Sequence, residues 1–144
     1  LDLTPLWPDR LVLAMRNDHP YADRKSVTIQ ALLELPYVSR CAGSGTQKLV
    51  QDCLRSANID RSALRTVASL GSTAAVKESI LSGVGVSLLS EAAVERERQS
   101  GLLVTAELEG CSLIRHFNLI QHPRVARSPA AQALTAMLLE GAEA

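Results

Sequence analysis

Three runs of strand length, separated by two segments of helical period, constrain this chain more than any other feature. Tyr37-Val38-Ser39, Leu64 to Ser69 and Val86-Ser87-Leu88-Leu89 are the runs. Between the first two, Leu49, Val50, Cys53, Leu54 and Ala57 make one apolar stripe, with Lys48, Gln51, Asp52 and Arg55 facing outward. Before the third, a helix beginning at Gly71-Ser72-Thr73 turns Val76, Ile80 and Leu81 inward. Short strands alternating with helices are best satisfied by a mostly parallel sheet covered on both faces. The continuous apolar run Leu11 to Met15 suits another such strand.

The element ends carry their own signals. Thr28 caps a short helix over Ile29 to Leu33, which Pro36 ends. Asn58 supplies a left-handed exit and Gly83 a helix C′ position, while Gly85 permits a close backbone approach. Ser90 is expected to cap a further helix, with Glu91 at its positive end. Leu102-Leu103-Val104 leaves Gly101 as an extended segment, followed by Leu108-Glu109-Gly110, and Ile114 to Gln121 reads as a late strand. Ser128 and Pro129 then start a final helix with Ala133, Met137 and Leu138 on its apolar side.

Composition narrows the function classes. Lys plus Arg and Asp plus Glu each total 15, so the formal net charge is zero, unlike a surface built to hold nucleic acid. Two Tyr, one Phe and one Trp leave little for base stacking. Cys41, Cys53 and Cys111 are widely spaced in sequence, with no close metal-binding pair, and are expected to be satisfied thiols in a reducing compartment. No signal peptide or membrane-length apolar run is present in the sequence, so a cytoplasmic protein without membrane contact is expected. Because the sequence starts at Leu1, a fragment or processed product is expected.

The stretch Ser39-Arg40-Cys41-Ala42-Gly43-Ser44-Gly45-Thr46 reads as a strand entering a flexible turn and then a helix N-terminus. Unpaired N–H groups and partial positive charge at such a terminus hold a small anion or carboxylate. Ser44 and Thr46 carry compact hydroxyls that add to this donor set. The competing reading is that both only cap the helix, and the two roles can coexist. Ser72 and Thr73 pose the same choice at the next helix start. Ser39 and Cys41 line the pocket or pack the strand. Gln121, His122, Arg124 and Arg127 follow the late strand. His122 can titrate near neutral pH but has no catalytic geometry around it, and the arginines can attract an anion. No Ser/His/Asp set, paired acidic site or metal cluster stands out, so no catalytic residue, metal or cofactor is expected.

The order of motifs resembles the effector-binding domain of LysR-type transcriptional regulators. The matching pieces are Leu11-Val12-Leu13 with His19-Pro20, Leu35-Pro36-Tyr37-Val38, Gly43-Ser44-Gly45-Thr46 and Leu70-Gly71-Ser72-Thr73-Ala74-Ala75-Val76-Lys77. Gly83-Val84-Gly85-Val86-Ser87-Leu88-Leu89 and Gly101-Leu102-Leu103 complete the series. The resemblance implies an α/β, two-lobe, periplasmic-binding-protein-like Rossmann-type fold joined by two crossing strands, with an effector held between the lobes. Lobe two would be nearly complete and lobe one partial. The implied division is residues 1–34 as partial lobe one and first crossing, 35–101 as lobe two, and 102–144 as return crossing and carboxyl-terminal lobe one.

The same resemblance implies a sensing module for a small anionic or carboxylate effector. Contacts are expected at Ser44, Thr46, Ser72, Thr73, Ser39 and His122. A homodimer or higher oligomer would form through the outer surface of 46–57 and the 64–69 strand. DNA would be read only by a winged helix-turn-helix domain outside these residues. The main alternative is a periplasmic-type solute-binding protein, which shares the clamp. An α/β enzyme fragment is a third reading that lacks a specific motif.

Overall fold

Leu11 to Met15 forms the centre of a sheet, and that placement organises the rest. The computed structural model describes residues 1–143. Its elements are β1 (Asp2–Arg16), β2 (Ser26–Thr28), α1 (Ile29–Glu34), β3 (Tyr37–Arg40), α2 (Gly45–Ser56), β4 (Thr66–Leu70), α3 (Thr73–Leu81), β5 (Ser87–Ser90), α4 (Glu91–Gln99), β6 (Leu103–Glu109), β7 (Ile114–Gln121) and α5 (Pro129–Glu143). Two compact units are present. The larger is Arg10–Leu113, and the smaller joins Leu1–Asp9 to the chain from Ile114 onward. Residues 10–34 and 102–113 belong to the larger unit because β1 pairs with β5 and β6, and β2 pairs with β6.

In the larger unit β1 runs antiparallel to both neighbours, with Leu11 opposite Ser90 on β5 and Leu13 opposite Ala106 on β6. β2 lies parallel to β6, and β3 parallel to β4. Tyr37 makes a parallel bridge to Val86 just ahead of β5, so β4, β3 and β5 lie side by side. In this unit β2, β6, β1 and β5 lie in one sheet with β1 antiparallel to both its neighbours, and the parallel β3–β4 pair joins β5 through that bridge; the antiparallel centre is what the strand–helix rhythm did not reveal.

Side chains on a strand alternate between faces. Leu11, Leu13 and Met15 enter one core with Ile29 and Leu32 of α1 and Val50, Cys53 and Leu54 of α2. Val12 and Ala14 enter a second core with Val76 and Ile80 of α3 and Val94 of α4. All five residues of the run are at most 2% exposed. Burying each of its larger side chains is worth about 2 kcal/mol.

The punctuation residues act as their chemistry suggests. The Thr28 hydroxyl accepts from the Ala31 N–H at 3.2 Å, and α1 stops before Pro36. Asn58 has φ 56° and Gly83 φ 78°. A Cβ on Gly85 would stand 2.3 Å from the Pro36 carbonyl oxygen, so only glycine fits there. Ser90 occupies the N-cap of α4 but makes no side-chain capping bond. Glu91 instead pairs with Arg10, which also reaches Glu107 at 2.6 Å.

The cysteines correct the expectation of free thiols. Cys53 and Cys111 form a disulfide with 5.5 Å between their Cα atoms, while Cys41 is free. Sequence spacing misled because folding lays the last turns of α2 beside the turn after β6. A link across 58 residues removes unfolded-chain entropy worth about 4 kcal/mol in the loop-closure account.

In the smaller unit β7 pairs with β1, and the Trp7 and Phe117 rings lie 6.1 Å apart. Asp9, whose side chain is 3% exposed, meets Arg115 at 2.7 Å. Ser128 caps α5 by accepting from Ala131 N–H at 3.2 Å. The expected apolar side of that helix is not buried: Ala133 is exposed, Leu138 is half-buried, and Met137 and Leu134 are 69% and 56% exposed. Period alone marks an apolar stripe, not what covers it.

Lys77 and Glu97 join α3 to α4 through a 2.7 Å ion pair. The Lys77 hydrogen bond holds the Glu97 carboxyl below the usual carboxylate range. A depressed folded-state value gives stability that is present above the unfolded value and lost as pH falls through the folded one. Glu97→Gln should therefore cost about 1 kcal/mol near neutral pH and progressively less in acid. Denaturant unfolding across pH checks this, and a pH-independent cost would contradict it.

Candidate functional site

The carboxyl ends of β3, β4 and β5 each lead into a helix, and in parallel α/β sheets ligands bind at that edge. Cys41 N–H donates to the Leu70 carbonyl at 2.9 Å, holding the ends of β3 and β4 together. The loops entering α2 and α3 consequently leave the sheet as neighbours. Gly43 makes the first turn possible with φ 87°.

Five of the six hydroxyl or imidazole residues singled out in the sequence lie in this larger unit. Ser44 is the N-cap of α2, its Oγ accepting from Gln47 N–H at 3.1 Å. Thr46, buried at 7% exposure, is one residue into the helix. Ser72 caps α3 in the same way, accepting from Ala75 N–H at 3.1 Å. Ser39 is buried on β3, and its hydroxyl donates to the Arg40 carbonyl at 2.9 Å. Thr73 is half-buried and accepts from Arg40 Nη1 at 2.8 Å. His122 lies in the smaller unit, exposed, with its Nδ1 accepting from Arg124 N–H at 3.2 Å. Ser44 and Ser72 therefore each act as a helix N-cap.

Arg40 is the residue that sequence reasoning missed. It ends β3, and its Nη2 donates to the Gly71 carbonyl at 3.2 Å. Its buried Nε makes no hydrogen bond. The guanidinium thus ties the end of β3 to the loop entering α3 and brings a permanent positive charge to that helix N-terminus. A basic residue closing a strand immediately before a Gly/Ser turn was the available signal.

A second recess of about 410 Å³ sits at the other end of the same strands, lined by Arg16, His19, Pro36, Gly83 and Gly85 among others. Its charge is already spent, because Arg16 pairs with Asp18. Desolvation lowers the His19 pKa, favouring neutral imidazole there. Among the described residues no group of His, Cys, Asp and Glu could hold a metal, and no helix is long and apolar enough to cross a membrane.

Comparison with known proteins agrees with this architecture. The LysR substrate binding domain family matches residues 1–143. A probable RuBisCO transcriptional regulator of Chlorokybus atmophyticus is 30% identical over 139 residues, covering 96% of this chain and 44% of that protein. The chain therefore spans less than half of that curated relative. The Synechocystis PCC6803 CcmR regulatory domain in complex with 2-PG superposes with a TM-score of 0.85 at 26% identity, covering 99% of this chain and 67% of that one. The effector binding domain of QuiR in complex with shikimate, at 17% identity and TM-score 0.82, covers 99% of this chain and 65% of its own, and shares the fold.

Ser44→Ala and Ser72→Ala each remove one capping acceptor, and each is expected to lower stability by about 1 kcal/mol. Urea unfolding of the two variants measures this. No loss in either would contradict the capping geometry.

Proposed function

Because this chain belongs to the LysR substrate binding domain family, we propose that it is the effector-sensing module of a LysR-type DNA-binding transcriptional regulator, and that its effector is a small anion or carboxylate. The observation that carries the ligand class is Arg40, a cation that closes β3 and is held at the capped N-terminus of α3, with the α2 entry loop following it in the chain. Ser44, Thr46, Ser72, Thr73 and Ser39 surround that edge, so hydroxyl and amide donors accompany the charge. The CcmR domain, whose complex is with 2-PG, supplies a ligand to try.

Sensing requires that the effector bind one arrangement of the protein more tightly than another. Its contacts at the starts of α2 and α3 would supply that difference. DNA reading would belong to a domain outside this chain, and the protein would act in the cytoplasm without catalysing a reaction. Its relatives are transcriptional regulators, which favours regulation over periplasmic solute transport. A homodimer would use β4, a strand with Thr66, Val67 and Ser69 exposed, together with the outer face of α2.

The test is native mass spectrometry of the full-length protein as purified, followed by titration with 2-PG. A retained small anion, and affinity weakened about tenfold or more by Thr46→Ala or Arg40→Ala, is the expected result. Unchanged affinity in both variants, or preference for an uncharged solute, would overturn the reading.

A further inference from the structure

We propose that Cys53 and Cys111 form a reversible thiol-exchange site, oxidised by a low-molecular-weight disulfide and reduced again by the corresponding thiol. This inference stands apart from the ligand reading, since it concerns the covalent state of α2 and the turn after β6.

The two sulfurs differ in access. Cys53 is 4% exposed on the inner side of α2, among Val50, Leu54, Leu64 and Leu113. Cys111 is half-buried in the turn that Gly110 opens with φ 96°. Exchange therefore begins at Cys111, because an external disulfide must approach the attacking thiolate in line. Cys111 attacks one sulfur of the external disulfide, a mixed disulfide forms on Cys111, and one external thiol leaves. Cys53, deprotonated, then displaces the second external thiol and closes the Cys53–Cys111 bond. The two protein thiols lose two protons and two electrons, which leave on the two external thiols.

The link has somewhere to act. It fastens α2, whose other end carries Ser44, to the turn through which the chain leaves the larger unit at Leu113. Leu113 is also held there by its carbonyl, which accepts from Leu11 N–H at 2.8 Å. Cys53 packs in the apolar core whether or not the bond is present, so the proposal places the change on reduction at the turn and the helix end.

The experiment incubates the reduced full chain in glutathione buffers of graded oxidation, then alkylates free thiols and maps the peptides. Wild type should accumulate a Cys53–Cys111 cross-linked peptide that excess reduced glutathione removes. Cys53→Ser should stop with glutathione on Cys111, and Cys111→Ser should leave Cys53 unmodified. Thiols that stay reduced throughout, a cross-link that excess thiol cannot remove, or glutathione on Cys53 in the Cys111→Ser protein would each overturn the proposal. A wild-type time course reads the same order without variants: the Cys111 adduct should precede the cross-link, and the reverse order would refute it. Hydrogen exchange at residues 110–113 should rise about tenfold on reduction, and equal exchange in both states would refute the conformational consequence.

Discussion

The run Leu11 to Met15 is the constraint on which the structure depends. Five consecutive apolar residues cannot face solvent, and the two-residue period of a strand sends them alternately to opposite sides. Helices must then cover both faces, and α1 and α2 take one while α3 and α4 take the other. Because β5 and β6 flank this strand antiparallel, they run in a common direction, and β3 and β4 continue that direction beyond β5. The carboxyl ends of β2, β3, β4 and β5 therefore lie at one edge, where the helices that follow them begin.

That edge explains why a residue as ordinary in sequence as Arg40 stands out in space. Its guanidinium is fixed by Thr73 and by the Gly71 carbonyl, so its charge is positioned before any ligand arrives. Preorganised charge beside helix N-termini favours anions at small reorganisation cost. Ser44 and Ser72 cap the helices that begin at this edge.

Local chemistry was legible wherever it was decided within a few residues. Thr28, Asn58, Ser72, Gly83, Gly85 and Ser128 each took the role their side chain or its absence dictates. Features decided by distant pairing were not legible. The first residues of β1 contain Pro5 and Pro8 and lack an apolar run, yet they are strand because β7 pairs with β1. Cys53 and Cys111 met only because α2 packs beside the turn after β6. Ser90 is the N-cap of α4 without a side-chain capping bond, and Glu91 beside it pairs with Arg10, a residue far away in sequence. The apolar stripe of α5 was visible, but its exposure depends on what packs there. Motif order identified the family, while individual residue types alone left the site residues open.

The central claim is that an anion binds at the carboxyl edge of β3 and β4. The most direct measurement is an amide chemical-shift titration of the protein with 2-PG. The account predicts saturable changes concentrated at residues 40–47 and 71–75. Changes confined instead to the Arg16, His19 and Gly83 to Gly85 recess, or to β7 and α5, would contradict it.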